Sequence, residues 1–233
     1  MRFYCFTSGL SGERLPEKFS AVPAAYRLSG NGRLFRRENT FIPAGSLMAL
    51  DMRDFAGSGV LPAAELVFGE CRRLALSGIV LTGTEKAERF ALFSFMRALR
   101  ERIAELRLFV PETLYVPGTT ALISSCVMQG AFEKALADAA ARYGAENTAL
   151  MISPVGARIR HTPDGWLLED ADDIRKAEAF TDEKLILRYY AENGAFTLFD
   201  DMTCVTEKVK AAQKLGIRDV FFRYTDLLRL SGE

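Results

Sequence analysis

At 233 residues the chain can bury roughly 70 to 75% of the surface its unfolded form exposes, enough for one enzyme-sized domain; a single α/β barrel commonly takes about 250 residues. Thirty basic residues balance thirty acidic ones and no basic run is interleaved with aromatics, so neither nucleic acid nor a membrane surface is an expected partner. Cys5, Cys71, Cys126 and Cys204 are widely separated, with no Cys-x-x-Cys pair and only His161 to assist, which predicts reduced, mostly buried thiols, no metal and no cofactor.

The first six residues are apolar in part but turn polar at Thr7, too short for the core of a secretory signal, and no run approaches the length of a membrane span. The expected location is cytoplasmic.

In chain order, a first strand is predicted over residues 2–6. Between residues 24 and 41, Tyr26, Leu28, Leu34 and Phe35 are scattered among Gly30, Gly32 and four arginines, the pattern of a frayed or hairpin-like second strand. Strands follow at 47–51 and 78–82, with a helix over 62–76 between them. Leu92, Phe95 or Met96, Leu99, Ile103 and Leu106 fall at helical spacing and predict a helix over 86–106. A strand at 107–110 ends near Pro111, and Pro117 breaks the chain again. A strand at 121–125, a helix over 131–143 and a strand at 148–152 complete the seventh unit.

The long connection 157–203 predicts a hairpin around Thr162-Pro-Asp-Gly165, a short helix over 171–180, and a ribbon of 185–190 with 195–199 turning at Asn193-Gly194. The last helix carries Val205, Val209 and Ala212 at i, i+4 and i+7, with Glu207, Lys208, Lys210 and Lys214 expected around its other side. Thr203 is its predicted N-cap, Asp200 and Asp201 lie just ahead at the positive dipole end, and Gly216 is the expected stop. Val220, Phe221 and Phe222 then read as a strand covered on both faces. The alternation predicts an α/β fold, a (β/α)8 TIM barrel forming one domain over 1–233, with an α+β insertion at 157–203 between strands seven and eight. An insertion there would wall the mouth where barrel ligands bind.

The unit spanning residues 196–222 resembles the last α/β unit of family 18 glycoside hydrolases, the chitinase-like TIM barrels, and Ser77-Gly-Ile-Val-Leu-Thr-Gly-Thr-Glu85 falls where that family keeps its catalytic acids. The resemblance runs from about residue 78 to 224. It implies the bacterial branch tied to spore cortex and cell-wall work, which carries an α+β insertion at this point. The family's fourth strand reads Asp-x-x-Asp-x-Asp-x-Glu, and laid on it without gaps this chain puts Ser77, Val80, Thr82 and Thr84 at the four acidic positions. The sixth-strand Tyr-Asp corresponds to about Ser124 and Ser125, the seventh-strand tyrosine to Val155, and the eighth-strand tryptophan to Arg223. The resemblance therefore implies a pseudoenzyme that has lost its proton donor and its sugar platform.

Glu85, one residue past the catalytic position, is the candidate acid; it also reads as a first-turn carboxylate of the following helix. Candidate ligand-binding residues at strand ends are Asp51, Arg53 and Asp54, Glu112, and Arg223. Each has a structural alternative: a salt-bridge cluster for the first three, and for Arg223 an ion pair to Asp51 or Asp54. Tyr115 reads as a stacking ring or a packed loop residue, and Trp166 as a sugar platform or a hydrophobic cap. Three functions stand from these residues: a barrel binding a glycan or cell-wall fragment without chitinase activity, a hydrolase with relocated carboxylates, or a scaffold.

Overall fold

The computed structural model describes residues 1–9, 13–102, 105–127, 130–163, 165–171 and 179–231, without the side chains of Trp166 and Ser231. The expected contributions of Ile103 and Asp164, and most of the 171–180 helix, lie outside the described residues.

In chain order the elements are β1 (Arg2–Thr7), β2 (Phe19–Pro23), β3 (Tyr26–Leu28), β4 (Leu34–Arg36), β5 (Leu47–Asp51), α1 (Val60–Arg73), β6 (Gly78–Thr82), α2 (Arg89–Arg100), β7 (Arg107–Pro111), β8 (Thr120–Ser124), α3 (Phe132–Tyr143) and β9 (Thr148–Met151). They continue with β10 (Gly156–Thr162), β11 (Gly165–Asp170), β12 (Phe180–Asp182), β13 (Leu187–Glu192), β14 (Ala195–Phe199), α4 (Met202–Lys214), β15 (Asp219–Arg223) and α5 (Tyr224–Ser231).

Ten strands form one sheet in the order β2-β1-β15-β9-β8-β7-β6-β5-β3-β4, parallel except for the β3–β4 hairpin. The sheet is curled and barrel-like. Its two ends come from one stretch of chain: β2 pairs with β1 and β3 with β5, yet only Ala24 and Ala25 separate them. The predicted irregular second strand is thus the β3–β4 hairpin plus β2, which lies upstream of the expected window. Pro23 has no N–H, so the ladder to β1 stops there, and Ala24 N–H bonds the Thr7 carbonyl as the chain turns away.

Alternation along each strand sorts side chains onto two faces. Tyr4, Val22, Leu47, Ala49, Val80, Phe109, Leu122, Ala149 and Phe221 cluster inside the curl. Tyr4 stacks on Phe221 at 4.8 Å between centroids, and Phe109 meets Phe221 edge-on at 4.9 Å. Outward neighbours such as Met48, Ile79, Leu81 and Val110 pack under α1 and α2, and Cys5, Ile123, Leu150 and Phe222 under α3, α4 and α5. At the N-terminal end of the curl, Asp219 is sealed from solvent and held by both Arg2, at 2.7 Å, and Arg107.

Local chemistry moves several helix ends from their expected places. Residues 84–86 form a separate 3-10 turn after Gly83, and α2 begins only where the Glu88 carboxylate accepts from the backbone N–H groups of Phe90 and Ala91 at 3.0 and 2.6 Å. Leu92, Phe95, Met96 and Leu99 then face inward, each stabilising the fold by about 1.5–3 kcal/mol through burial. The helix closes at Arg100 rather than at residue 106; Arg102 turns back to bond the Ala98 carbonyl at 2.9 Å while pairing with Glu65 on α1. The N-cap of α4 is Asp201, which accepts from Cys204 N–H at 2.9 Å, not Thr203. Its C-terminus is a Schellman closure: Gly216 N–H bonds Gln213 and Ile217 N–H bonds Ala212, with Gly216 at φ 78°.

The largest correction concerns Lys208. It does not join the polar face of α4 but is 1% exposed, with its ammonium on the Asp200 carboxylate and 5.6 Å from the Phe132 ring centre. Asp200, expected at the helix mouth, is buried beneath it and also accepts from Val155 N–H at 2.8 Å.

Strands β10 to β14 build a second sheet, antiparallel, in the order β11-β10-β14-β13-β12, between β9 and α4 in sequence. Both expected hairpins are present, and the β13–β14 turn puts Asn193 and Gly194 at φ 53° and 75°, the paired left-handed residues of a type I′ turn. Phe180, expected to end a helix, opens strand β12.

Candidate functional site

Two residues beyond the inward-facing Ala49, Val80, Leu122 and Phe221 along the same strands come Asp51, Thr82, Ser124 and Arg223, so strand alternation delivers these four to the C-terminal rim of the curled sheet. There a cavity of about 390 Å³ opens between the β3–β4 hairpin and the ends of β5 and β6. Four guanidinium groups line it, from Arg27, Arg36, Arg37 and Arg53, with the Asp51 carboxylate, Thr82 and the ring of Phe35, which is 54% exposed.

Asp51 shapes this rim. Its Oδ1 accepts from the Arg53 backbone N–H at 3.1 Å and its Oδ2 lies 2.7 Å from an Arg53 guanidinium nitrogen. The side-chain hydrogen bond from Arg53 Nε to Asp51 Oδ1, at 3.3 Å, and the Asp51 charge hold the exposed Arg53 guanidinium above its ordinary pKa, with smaller help from Asp54 and Glu85. Asp54 pairs with Arg27 across the rim. Gly83 permits the approach: at φ 63°, a Cβ there would strike Asp51 Oδ1 and crowd Arg53.

The six predicted site residues are therefore not all together. Asp51 and Arg53 line the cavity, Asp54 sits behind it on Arg27, and Glu85 stands exposed on the adjoining 3-10 turn within electrostatic range of Arg53. Glu112 is drawn away to α3, accepting from the Tyr143 hydroxyl at 3.1 Å. Tyr115 packs on the same Tyr143 at 4.3 Å, as a loop residue rather than an open platform. Arg223 is exposed at the end of β15 and does not pair with Asp51 or Asp54, whose cations are Arg53 and Arg27; its charge instead acts on Asp226. Arg27, Arg36, Arg37 and Phe35 were not singled out as site residues from sequence, although the four arginines in 24–41 were the available signal. The cavity walls come from the hairpin, residues 24–25 and the ends of β5 and β6, with none from the described residues of 156–199.

At the four positions matching the family's acids no carboxyl is present. Ser77 donates to the Ser46 carbonyl at 3.3 Å, Val80 is fully buried inside the curl, Thr82 donates to the Leu50 carbonyl at 3.4 Å, and Thr84 opens the 3-10 turn.

A larger cavity of about 620 Å³ lies outside the sheet between the β1–β2 connection, α4 and α5, walled chiefly by Phe3, Leu15, Phe19, Val205, Val209 and Leu227. Arg14, Lys18, Thr206 and Tyr224 also line it, but it lies outside the sheet, whereas the rim cavity sits at the C-terminal ends of the strands, where barrel folds place their ligands. Among the described residues no group of three or more His, Cys, Asp or Glu stands together to hold a metal, and no helix is long and apolar enough to cross a membrane.

No family model matches the chain, and no curated protein matches it in sequence. Solved structures do match in three dimensions. The spore cortex-lytic enzyme SleL of Bacillus cereus superposes with a TM-score of 0.57 at 9% identity, over 95% of this chain and 70% of that one. The fold is chitinase-like. The chitinase-like agglutinin of Robinia pseudoacacia superposes at TM-score 0.60 and 14% identity, covering 95% of this chain and 94% of the agglutinin. Human YKL-39, described as a pseudo-chitinase with retained chitooligosaccharide binding properties, superposes at 0.58 and 10% identity, covering 95% and 91%. At these identities the likeness carries the fold, and function rests on this chain's own residues.

Proposed function

We propose that the chain is a degenerate chitinase-like (β/α)8 barrel, one domain over 1–233 with residues 157–203 inserted between the seventh and eighth barrel strands, and that its mouth binds a glycan or cell-wall fragment without chitinase activity. Support for eight strands comes from counting β2 and β3 as two halves of one: β1, β2/β3, β5, β6, β7, β8, β9 and β15 then make eight, with α1, α2, α3 and α5 following β5, β6, β8 and β15, and β4 is an appendage.

The observation that carries the functional reading is the site of the missing acid. Val80 is buried among apolar side chains and Thr84 has no ionisable proton near neutral pH, so nothing at the motif can protonate a glycosidic oxygen. Loss of a general acid removes about 10²- to 10⁴-fold in rate. The rim cavity meanwhile keeps polar donors beside an exposed aromatic ring.

Purified protein should bind chitotetraose or chitohexaose saturably by calorimetry and release no reducing ends from them over hours. A second reading, hydrolysis by relocated carboxylates, draws on Glu85 and Asp51, which both act on Arg53. Turnover abolished by Glu85→Gln would establish that reading; no binding of any saccharide would leave the scaffold role.

A further inference from the structure

Parallel neighbouring strands are ordinarily joined by a helix that covers their outer face. β1 and β2 are joined differently: in the described part of their connection, residues 13–18 run as loop and turn, closed by the Phe19 N–H on the Pro16 carbonyl at 2.9 Å. The strand register sets Phe3 beside Phe19 with ring centres 5.7 Å apart, and the two meet Phe222 at 6.3 and 5.2 Å. These three rings floor the 620 Å³ cavity outside the sheet. Met202, Val205 and Val209 of α4 form a helical stripe along one side, and Leu227 of α5 faces it from another.

The charge in this cavity lies on one wall. Arg14 and Lys18, both from the β1–β2 connection, line it, and neither α4 nor α5 adds a charged side chain. The Lys18 ammonium is 5.5 and 5.6 Å from the ring centres of Phe3 and Phe19, which keeps it over the aromatic floor. Neither cation has a carboxylate partner among the described residues. The acids nearby are engaged elsewhere or turned away: Glu13 accepts from the Ser8 and Gly9 backbone N–H groups at 2.9 and 3.1 Å, Glu207 pairs with Lys210, and Asp226 lies in the field of Arg223 and Arg229. Glu17 is exposed on the same turn and does not line the cavity.

We infer that this cavity binds a long-chain fatty acid, its acyl chain laid along the three rings and the α4 stripe and its carboxylate on Arg14 and Lys18. The inference is independent of the saccharide reading of the rim. An apolar trough with cations on one wall matches a ligand that is apolar along its length and anionic at one end, and both long side chains can lay their stems on the trough while their heads stay wet. Size argues against a docked helix: one about 10 Å across would fill 620 Å³ with about five residues, less than two turns. The same volume falls within the range of about 300–1,000 Å³ usual for small-ligand sites.

The test is a calorimetric titration of the full chain with octanoate, decanoate and dodecanoate, and with dodecanol and dodecyltrimethylammonium as neutral and cationic probes of equal chain length. Affinity should rise about twofold to fourfold for each methylene added to the carboxylate series. Dodecanoate should bind about twofold to thirtyfold more tightly than dodecanol, as two exposed ion pairs allow, and that margin should shrink between about 50 and 500 mM NaCl. Arg14→Gln/Lys18→Gln should bring dodecanoate down to the dodecanol level and leave dodecanol unchanged. Val209→Trp, which fills the trough from α4, should weaken both by about tenfold or more, with thermal unfolding to verify that the variant folds. If it does not fold, the double variant and the chain-length series decide the same point. Equal affinity for the three twelve-carbon probes, or no gain with chain length, overturns the inference. So does a failure of every amphiphile to bind, and a dimer in sedimentation that Val209→Trp dissociates would then assign the trough to a second copy of the chain.

Discussion

The ammonium of Lys208 lies 2.8 and 3.0 Å from the two carboxylate oxygens of Asp200, with both side chains withdrawn from solvent. This pair ties α4 to the residue that leaves β14, and Val155 N–H, in the loop after β9, adds a third bond to the same carboxylate, so Asp200 links the start and end of the second sheet to α4. Isolated buried charges are costly, and their mutual attraction offsets that cost only with all hydrogen bonds made.

Lys208→Met should therefore destabilise the fold by about 3–5 kcal/mol at neutral pH. Burial raises the Asp200 carboxyl above its ordinary value while Lys208 pulls it back, so removing the lysine raises it further. A folded pKa above the unfolded one means that protonation favours the fold: the variant's deficit should shrink as pH falls from neutral toward about 4. Urea unfolding at pH 7 and pH 5 reads the sign, and adding Asp200→Asn should restore much of the loss. A deficit that grows on acidification contradicts the buried pair.

Glu70 has the opposite sign. Arg73, by hydrogen bonds at 2.7 Å, and the Tyr26 hydroxyl, at 2.6 Å, hold its carboxyl below the ordinary value against the opposing effect of burial. This stability is present above about pH 4.5 and is lost as pH falls through the lower folded pKa. Glu70→Gln should cost about 1–3 kcal/mol at pH 7 and much less near pH 2.5, where both proteins carry a neutral group; Tyr26→Phe should cost about 1 kcal/mol.

At the rim, Gly83→Ala meets two obstacles at once, a left-handed φ of 63° and the Asp51 oxygen where its methyl would sit. A loss of about 1–3 kcal/mol is expected from the backbone strain and the displaced carboxylate. Binding at the cavity should weaken in parallel, measured on the folded variant; unchanged saccharide affinity would show that the Asp51–Arg53 pair does not shape the pocket.

Thiol chemistry offers a direct reading of burial. Desolvation pushes Cys5 and Cys71 up to about 12 and Cys204 up to about 11, whereas Cys126 is exposed at the end of β8. A disulfide reagent at pH 8 should titrate one fast thiol in the native protein and four in denaturant; two or more fast native thiols would mean that an outer helix layer opens.

The strand ladder was legible because strands buried on both faces leave continuous apolar runs: the predicted 47–51 and 78–82 coincide with β5 and β6, and the Asn193-Gly194 turn announces its own backbone geometry. β2 was not, since Phe19-Ser-Ala-Val-Pro is short, broken and followed at once by β3. The site was only half legible. Position at a strand end marks Asp51, but which partner a charge takes depends on cross-strand register: opposite Asp51 stands Arg27, which reaches to Asp54, and no sequence spacing records that. Helical periodicity likewise assigned Lys208 to the wet face, because a buried cation is recognisable only once its carboxylate has been folded beneath it.

The contact of Asp219 with Arg2 spans 217 positions and ties the first strand to the last. During synthesis at about 5–20 residues per second, β1 emerges roughly 10–40 s before the strand that will cover its flank. Until then it can pair only with β2, leaving the other edge of this apolar ribbon, Phe3 to Phe6, exposed to any neighbouring chain. Folding is thus governed by the slowest long-range pairing, and a chaperone or a slowed ribosome would act most strongly on the yield of this protein over that interval.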